Sequence, residues 1–108
     1  MAAYMIAYLE VTDRERFDEY RRAAGPTFAP YGGHPIVVDG RLEVLEGMIH
    51  PKSIVVVEFE SLDDAKRWYA AEYATTIPLR RQSANSSLIL VDGLPASRGG
   101  PRATSSDA

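Results

Sequence analysis

The sequence of 108 residues contains no cysteine, which excludes a disulfide framework, a thiolate metal site and a thiol nucleophile. It also lacks any apolar run near the roughly 18 residues that cross a bilayer, and its N-terminal segment has no basic leader. A net charge of -3 leaves no basic surplus for a phosphate backbone. We therefore expect a cytoplasmic protein that binds neither membranes nor nucleic acid and whose partners are small molecules or proteins.

The common motifs of nucleotide-binding and hydrolytic enzymes are missing as well. There is no P-loop, no G-x-G-x-x-G, no G-x-S-x-G elbow and no H-E-x-x-H. The two histidines, His34 and His50, are separated by a predicted strand and a loop, and neither lies on a predicted helix. A metal centre or a haem ligand is therefore not expected, and we predict no cofactor.

The strongest pattern in the sequence runs from Ser53 to Arg81. Ile54 to Phe59 is almost entirely β-branched or aromatic, as in a strand that is buried on both faces. Ser61, with an aspartate three residues later, predicts the start of a helix whose apolar residues recur at steps of three and four. Pro78 cannot continue that helix, so a short second helix should follow and carry Arg80.

An earlier strand and helix precede this stretch. Residues 3 to 11 predict a first strand with apolar side chains on both faces, and Thr12 with Glu15 predicts the capping box of a helix. Gly25 and Pro26 should bend that helix without breaking its apolar stripe. The stripe consists of Phe17, Tyr20, Ala24, Phe28 and Tyr31.

A hairpin is predicted between these two halves. The Asp39-Gly40 pair is typical of a two-residue turn, here joining strands His34 to Val38 and Arg41 to Glu46. In the register that this turn imposes, His34 and Glu46 point to opposite faces. They are then not an acid–base pair unless a bulge intervenes.

With a last strand over residues 86 to 92, the order is strand, helix, hairpin, strand, helix, strand. This order predicts an α+β, ferredoxin-like split β-α-β sandwich with an added hairpin. Two helices cover only one face of the sheet, although three strands carry apolar side chains on both, so we expect a homodimer. Residues 1 to 94 should form the domain, and residues 95 to 108, which have nothing to bury, a disordered tail.

Aromatic side chains on the two helix stripes are candidates for the wall of a binding cavity against the sheet. The alternative is that they form the hydrophobic core. Tyrosines are the more informative members, because a buried hydroxyl needs a partner and can orient a polar substrate. The candidates are Tyr20, Phe28, Tyr31, Trp68, Tyr69 and Tyr73.

Four ionisable residues are candidates for chemistry. Glu46 and Glu58 lie on predicted strands among apolar neighbours, where loss of solvation raises a carboxyl pKa towards values useful for proton transfer. Arg80 suits a substrate carboxylate or enolate, and His34 suits a proton shuttle. The alternatives are a structural ion pair between Arg80 and a glutamate, and a structural or solvent-facing histidine.

The sequence resembles the DUF1330 family over about residues 3 to 94. The resemblance implies a ferredoxin-like subunit of the dimeric α/β-barrel superfamily, in which two sheets pack face to face and ligands lie between each sheet and its helices. His34 and Val38 occupy places where family members often carry basic residues. The motifs that carry the resemblance are Tyr20 to Pro26, Tyr31-Gly32-Gly33, Val44 to Gly47, Glu58-Phe59, Ser61, Ala65, Trp68-Tyr69, Glu72-Tyr73, Arg80 and Val91-Asp92-Gly93.

Two functions remain as hypotheses. The first is a small cofactor-independent enzyme that acts by proton transfer on a compact carbonyl, enol or aromatic metabolite, as an isomerase, cyclase, dehydratase or monooxygenase. A glutamate would be its acid or base, Tyr20 and Tyr69 would orient oxygen atoms, and Arg80 would stabilise negative charge. The second is a non-catalytic small-molecule-binding or stress-associated dimer. A cavity reached by Arg80 and a glutamate favours the first.

Overall fold

A four-stranded antiparallel sheet supports all the helices of the computed structural model, which describes residues 2 to 95. The strand order across the sheet is β2-β3-β1-β4. The strands are β1 (Ala3–Val11), β2 (His34–Val38), β3 (Ser53–Phe59) and β4 (Ala84–Asp92). This is the predicted α+β, ferredoxin-like arrangement.

The helices follow β1 and β3 along the chain. Helix α1 (Arg14–Ala24) runs into two short 3-10 helices, Gly25–Thr27 and Ala29–Tyr31. Helix α2 (Leu62–Ala70) is followed by a 3-10 helix, Glu72–Thr76, and by α3 (Ile77–Ser83). Within residues 2 to 95, no helix has the length and apolar composition needed to cross a bilayer.

The N-terminal caps of the two main helices were both predicted from sequence, and one of the two predictions is correct. Ser61 caps α2 as predicted, since its hydroxyl accepts the amide of Asp64 at 3.0 Å. The prediction of Thr12 as the cap of α1 is wrong. Asp13 caps α1 instead, because the Thr12 amide donates to the carbonyl of Ser83 at 2.8 Å and holds Thr12 beside the end of β1.

The two faces of the sheet differ in what covers them. Alternate residues of β1 and β3 point toward the helices and are buried with Phe17, Trp68 and Tyr73 in one core. The opposite face, called the open face here, carries the remaining alternate residues of the strands. At its centre, Ile6 of β1 is paired with Val56 of β3 on one side and with Ile89 of β4 on the other. The predicted excess of apolar sheet surface is therefore present.

The predicted hairpin is not formed. Residues 40 to 46 have no strand structure, and β2 pairs with β3 instead. Asp39 does adopt the left-handed φ of 56° that a turn needs, but its amide donates to the carbonyl of Ile54 at 3.1 Å. A turn signal alone does not stabilise an isolated hairpin, whereas β3 is a long apolar strand that offers β2 a place in the sheet.

The loss of the hairpin changes the surroundings of the residues that follow it. Leu45, Met48 and Ile49 are exposed, and so is Glu46. The predicted register between His34 and Glu46 is wrong, because β2 takes its register from β3. Residues 96 to 108 of the predicted tail lie outside the described residues.

Candidate functional site

A cavity of about 200 Å³ lies between α1 and the helix-covered face of the sheet. Alternate residues of β1 supply its floor, and α1 with the following 3-10 turns supplies its roof. Gly25, where α1 changes to a 3-10 helix, adds no side chain to the wall. The apolar lining residues include Met5, Ala7, Leu9, Phe17, Ala24, Phe28, Val38 and Val55, and the polar ones are Tyr20 and Arg21.

Trp68 is the centre of the aromatic core rather than a wall of this cavity. Its side chain is fully buried, and its ring centroid lies 4.1 Å from that of Tyr73 and 5.2 Å from that of Phe28. Its Nε1 donates to the Thr27 hydroxyl at 2.9 Å. One side of the Phe28 ring packs on Trp68 and the other lines the cavity, so Trp68 directly supports the cavity wall.

A chain of hydrogen bonds joins Tyr20 to a buried arginine. The hydroxyl oxygens of Tyr20 and Tyr73 are 2.7 Å apart, and Nη1 of Arg80 donates to the Tyr73 hydroxyl at 2.8 Å. Nε of Arg80 donates to the Ser86 hydroxyl at 3.1 Å. The fold thus brings together three candidates, Tyr20, Tyr73 and Arg80, which come from three different helical segments.

The protonation states in this chain follow from burial and charge. Burial is the main cause that raises the pKa of Tyr20 above its ordinary value, Tyr73 raises it further, and Arg80 only partly opposes this. Burial alone lowers the pKa of Arg80, but the hydroxyls of Tyr73 and Tyr20 outweigh it and raise the pKa overall. Tyr20 is therefore a neutral hydroxyl, and Arg80 a cation, at physiological pH.

The remaining ionisable candidates lie elsewhere. His34 and Glu58 are cross-strand partners of β2 and β3, and Glu58 accepts a hydrogen bond from the Tyr4 hydroxyl at 3.2 Å. Both line a hollow of about 360 Å³ at the end of the sheet, with Glu60. By strand alternation this pair belongs to the open face, opposite the cavity. Glu46 is exposed in the loop.

Two further aromatic candidates lie at the edges of the site. Tyr69 is 37% exposed, and its ring centroid is 5.8 Å from that of Tyr73. Tyr31 is half-buried and packs against the core. Among the described residues, no ion pair joins Arg80 to Glu46 or Glu58.

Sequence reasoning missed Arg21. Its guanidinium lies 5.0 Å from the centroid of the Phe17 ring, lines the cavity and forms an ion pair with Asp39. The signal that was available is spacing, because Phe17 and Arg21 are four residues apart and share one face of α1. Asp39 could not be placed, because its position depends on how β2 leaves the sheet.

The Arg21–Asp39 ion pair predicts a pH-dependent contribution to stability. Partial burial by itself raises the pKa of Asp39, but the hydrogen bond and charge of Arg21 outweigh it and lower the pKa below 3.8. The ionised form is thus favoured by folding, so its contribution is present above about pH 4 and is lost as pH falls through the lowered pKa. Asp39→Asn should therefore lower the free energy of unfolding at neutral pH, and this effect should shrink as the pH falls below about 4.

Urea unfolding across this pH range measures the difference. Asparagine tolerates the left-handed backbone of Asp39 as well as aspartate does, so the change isolates the charge. Glu43→Gln, at an exposed acid of the same loop, is the matched control. An Asp39→Asn effect that is constant with pH would contradict the assignment.

The sheet order and the helices on one face together define a ferredoxin-like α+β protein. The family model called Domain of unknown function (DUF1330) matches residues 2 to 94. The chain belongs to the DUF1330 family, as its motifs predicted. No curated protein sequence matches it significantly.

Solved structures share this fold at low sequence identity. A protein of unknown function from Rhodopseudomonas palustris is 20% identical, with a TM-score of 0.71 over 86% of this chain and 82% of that one. SnoaB, a cofactor-independent oxygenase from Streptomyces nogalater, is 15% identical, with a TM-score of 0.58 over 88% and 95%. A dimeric ferredoxin-like protein of unknown function from Bacteroides fragilis is 10% identical, with a TM-score of 0.50 over 85% and 96%. These similarities support the fold.

Proposed function

We propose that the chain forms a homodimer through its open face and binds a compact, largely apolar or aromatic molecule in the cavity beneath α1. It acts on a carbonyl, enol or phenol oxygen of that molecule as a cofactor-independent enzyme. The observation that carries the proposal is the cavity itself, which is apolar except for Tyr20 and Arg21. Binding sites for small molecules typically combine such a lining with few polar groups that fix orientation.

The chemistry proposed for the cavity uses Tyr20 as the group that touches the ligand. Its hydroxyl is neutral and belongs to a hydrogen-bonded chain that ends at the Arg80 cation. A hydroxyl of this kind stabilises the negative charge that develops on a carbonyl oxygen when a neighbouring carbon gives up a proton to a water molecule in the cavity. The cofactor-independent oxygenase SnoaB has the same fold, which makes this class of chemistry a reasonable one to test.

The dimer is proposed from the surface of the open face. Ile89 is 47% exposed and Val91 is 44% exposed in the single chain, and Ile6 and Val56 lie beside them. A continuous apolar sheet face of this kind marks an interaction surface. The ferredoxin-like relative from Bacteroides fragilis is described as dimeric, in agreement with this proposal.

The binding site is tested by filling the cavity. Val55 lines the cavity from β3. Val55→Phe should weaken the binding of 2-naphthol, a compact aromatic alcohol, by about tenfold or more, because the phenylalanine ring occupies the space that the ligand would fill. Fluorescence titration of 2-naphthol measures the affinity. Val44→Phe, at an exposed loop position outside the cavity, makes the same change and should leave the affinity unaltered. Equal affinity of the Val55→Phe variant and the native protein would refute the site.

A second candidate function is binding without catalysis. It is favoured by the lining of the cavity, because the described residues that form it include no carboxylate and no imidazole that would remove a proton. Arg80 does not line the cavity either, so the arrangement expected of an enzyme, a cavity reached by Arg80 and a glutamate, is not present. The two candidates differ in one measurement, the exchange of the acidic hydrogens of 2-tetralone with deuterium followed by NMR. Acceleration that Tyr20→Phe abolishes supports the enzyme, and binding of 2-tetralone without acceleration supports the binding protein.

A further inference from the structure

A buried cation lies where α3 meets β4. The Arg80 side chain belongs to a residue that is only 5% exposed, and among residues 2 to 95 no ion pair joins it to an acid. Its hydrogen-bond partners are the hydroxyls of Tyr73 and Ser86, and its charge also acts directly on the Tyr20 hydroxyl. A guanidinium that is removed from water without a counter-ion polarises the groups that it contacts, and its hydrogen bonds are charge-assisted.

The direction of the hydrogen bonds follows from counting donors. Arg80 can only donate, so the oxygen of Tyr73 accepts. Tyr73 is 1% exposed, and its own hydrogen therefore needs a protein acceptor. Among the described residues, the acceptor within reach is the Tyr20 oxygen, 2.7 Å away. The chain therefore runs from Arg80 through Tyr73 to Tyr20.

This direction leaves the hydrogen of Tyr20 unused. Tyr20 is half-buried and lines the cavity, so the free donor is available to a ligand there. Aligned hydrogen bonds strengthen one another, and the Arg80 charge at the far end makes the last donor stronger still. Such a donor stabilises an anionic oxygen more than a neutral one.

We propose that Arg80 acts through Tyr73 to make the Tyr20 hydroxyl a strong donor to an ionised oxygen, so that the cavity selects phenols, enols and enolisable carbonyl compounds bound as anions. The inference rests on the proposed function, because it takes the cavity as the ligand site. Tyr20 is the residue that touches the ligand. Tyr73 and Arg80 are positioning residues.

Arg21 is the other cation at the cavity, and its contribution has to be separated from that of the chain. It is held by Asp39 at the surface and over the Phe17 ring, and it has no recorded hydrogen bond to Tyr20 or Tyr73. A general attraction of anions by Arg21 would not depend on the hydroxyl of Tyr73. Removal of that single oxygen therefore tests the chain alone.

The experiment compares 4-nitrophenol with 4-nitrotoluene, in which a methyl group replaces the hydroxyl. Visible absorbance reports ionisation of bound 4-nitrophenol, and equilibrium dialysis gives both affinities. In the native protein the pKa of bound 4-nitrophenol should fall below its value in water. Tyr73→Phe should reverse most of this fall and weaken binding of the phenolate about tenfold, since a bond coupled to a charge is lost. Affinity for 4-nitrotoluene should stay unchanged.

Two further variants complete the test. Tyr20→Phe removes the last hydroxyl, keeps the ring and should give the same result as Tyr73→Phe, which protects the test if one variant fails to fold. When Arg21→Gln is already present, Tyr73→Phe should still change the pKa of bound 4-nitrophenol by as much as it does in the native protein. Loss of the pKa change in Arg21→Gln with its retention in Tyr73→Phe would overturn the inference while the cavity remains the site. Failure of both nitro compounds to bind would overturn the proposed function and this inference with it.

Discussion

Replacing Ile6 by aspartate should convert the proposed homodimer into monomers. Ile6 lies in the central part of β1, on the open face, directly between Val56 of β3 and Ile89 of β4. Dimerisation would bury an unpaired carboxylate at that position, and a buried charge without a partner costs about 3–5 kcal/mol. The dissociation constant should therefore rise by about a hundredfold or more, since each 1.4 kcal/mol is a factor of about ten.

Sedimentation velocity over a range of micromolar concentrations measures this change. Gln82→Glu adds the same charge at an exposed position of α3, where Arg16 already contacts the Gln82 side chain, and should leave the dimer intact. Circular dichroism shows whether the Ile6→Asp monomer keeps its fold. A native protein that sediments as a monomer throughout, or an Ile6→Asp protein that stays dimeric, would remove the open face as the interface.

Trp68→Ala should have the largest effect on stability, a loss of about 3–5 kcal/mol in the free energy of unfolding. The indole is fully buried and packs on Tyr73, Phe28 and Phe59, so its removal leaves a large hole in the core. It also removes the hydrogen bond that the indole donates to Thr27.

Urea unfolding followed by far-UV circular dichroism is the appropriate measurement, because Trp68 is the single tryptophan and the variant has no indole fluorescence. Both proteins are compared at one protomer concentration, since the proposed dimerisation would contribute to apparent stability. Tyr69→Ala, at the adjacent and 37% exposed position, is the matched control and should cost about 1 kcal/mol. Equal losses in the two variants would mean that Trp68 is not the centre of the core.

The fold was predictable where one local pattern was sufficient. The apolar strands β1 and β3 and the Ser61 cap each depend on neighbouring residues, and the structure contains all three. The hairpin after Asp39 was not predictable in this way, because β2 had two possible partners and the choice depends on the buried surface that each offers. Long-range pairing overrode a strong turn signal.

In the candidate site too, local spacing predicted some residues, whereas their long-range contacts could not be predicted. Helical spacing identified Tyr20 and Tyr73 as members of buried stripes, and the structure joins their hydroxyls. The contact between Tyr73 and Arg80 joins the 3-10 helix to α3, and spacing within one predicted helix does not encode how two helical segments are placed. His34 and Glu58 became neighbours only through the pairing of β2 with β3.

The two edge strands of the sheet, β2 and β4, differ from each other. β2 is short, contains Pro35, which has no amide hydrogen, and shifts its register between Pro35 and Val37. β4 is nine residues long and contains no proline. Fibrous polymerisation by strand addition needs two edge strands that can pair on every copy. The sheet formed by residues 2 to 95 offers one such edge, β4, so strand addition should stop after a single pairing.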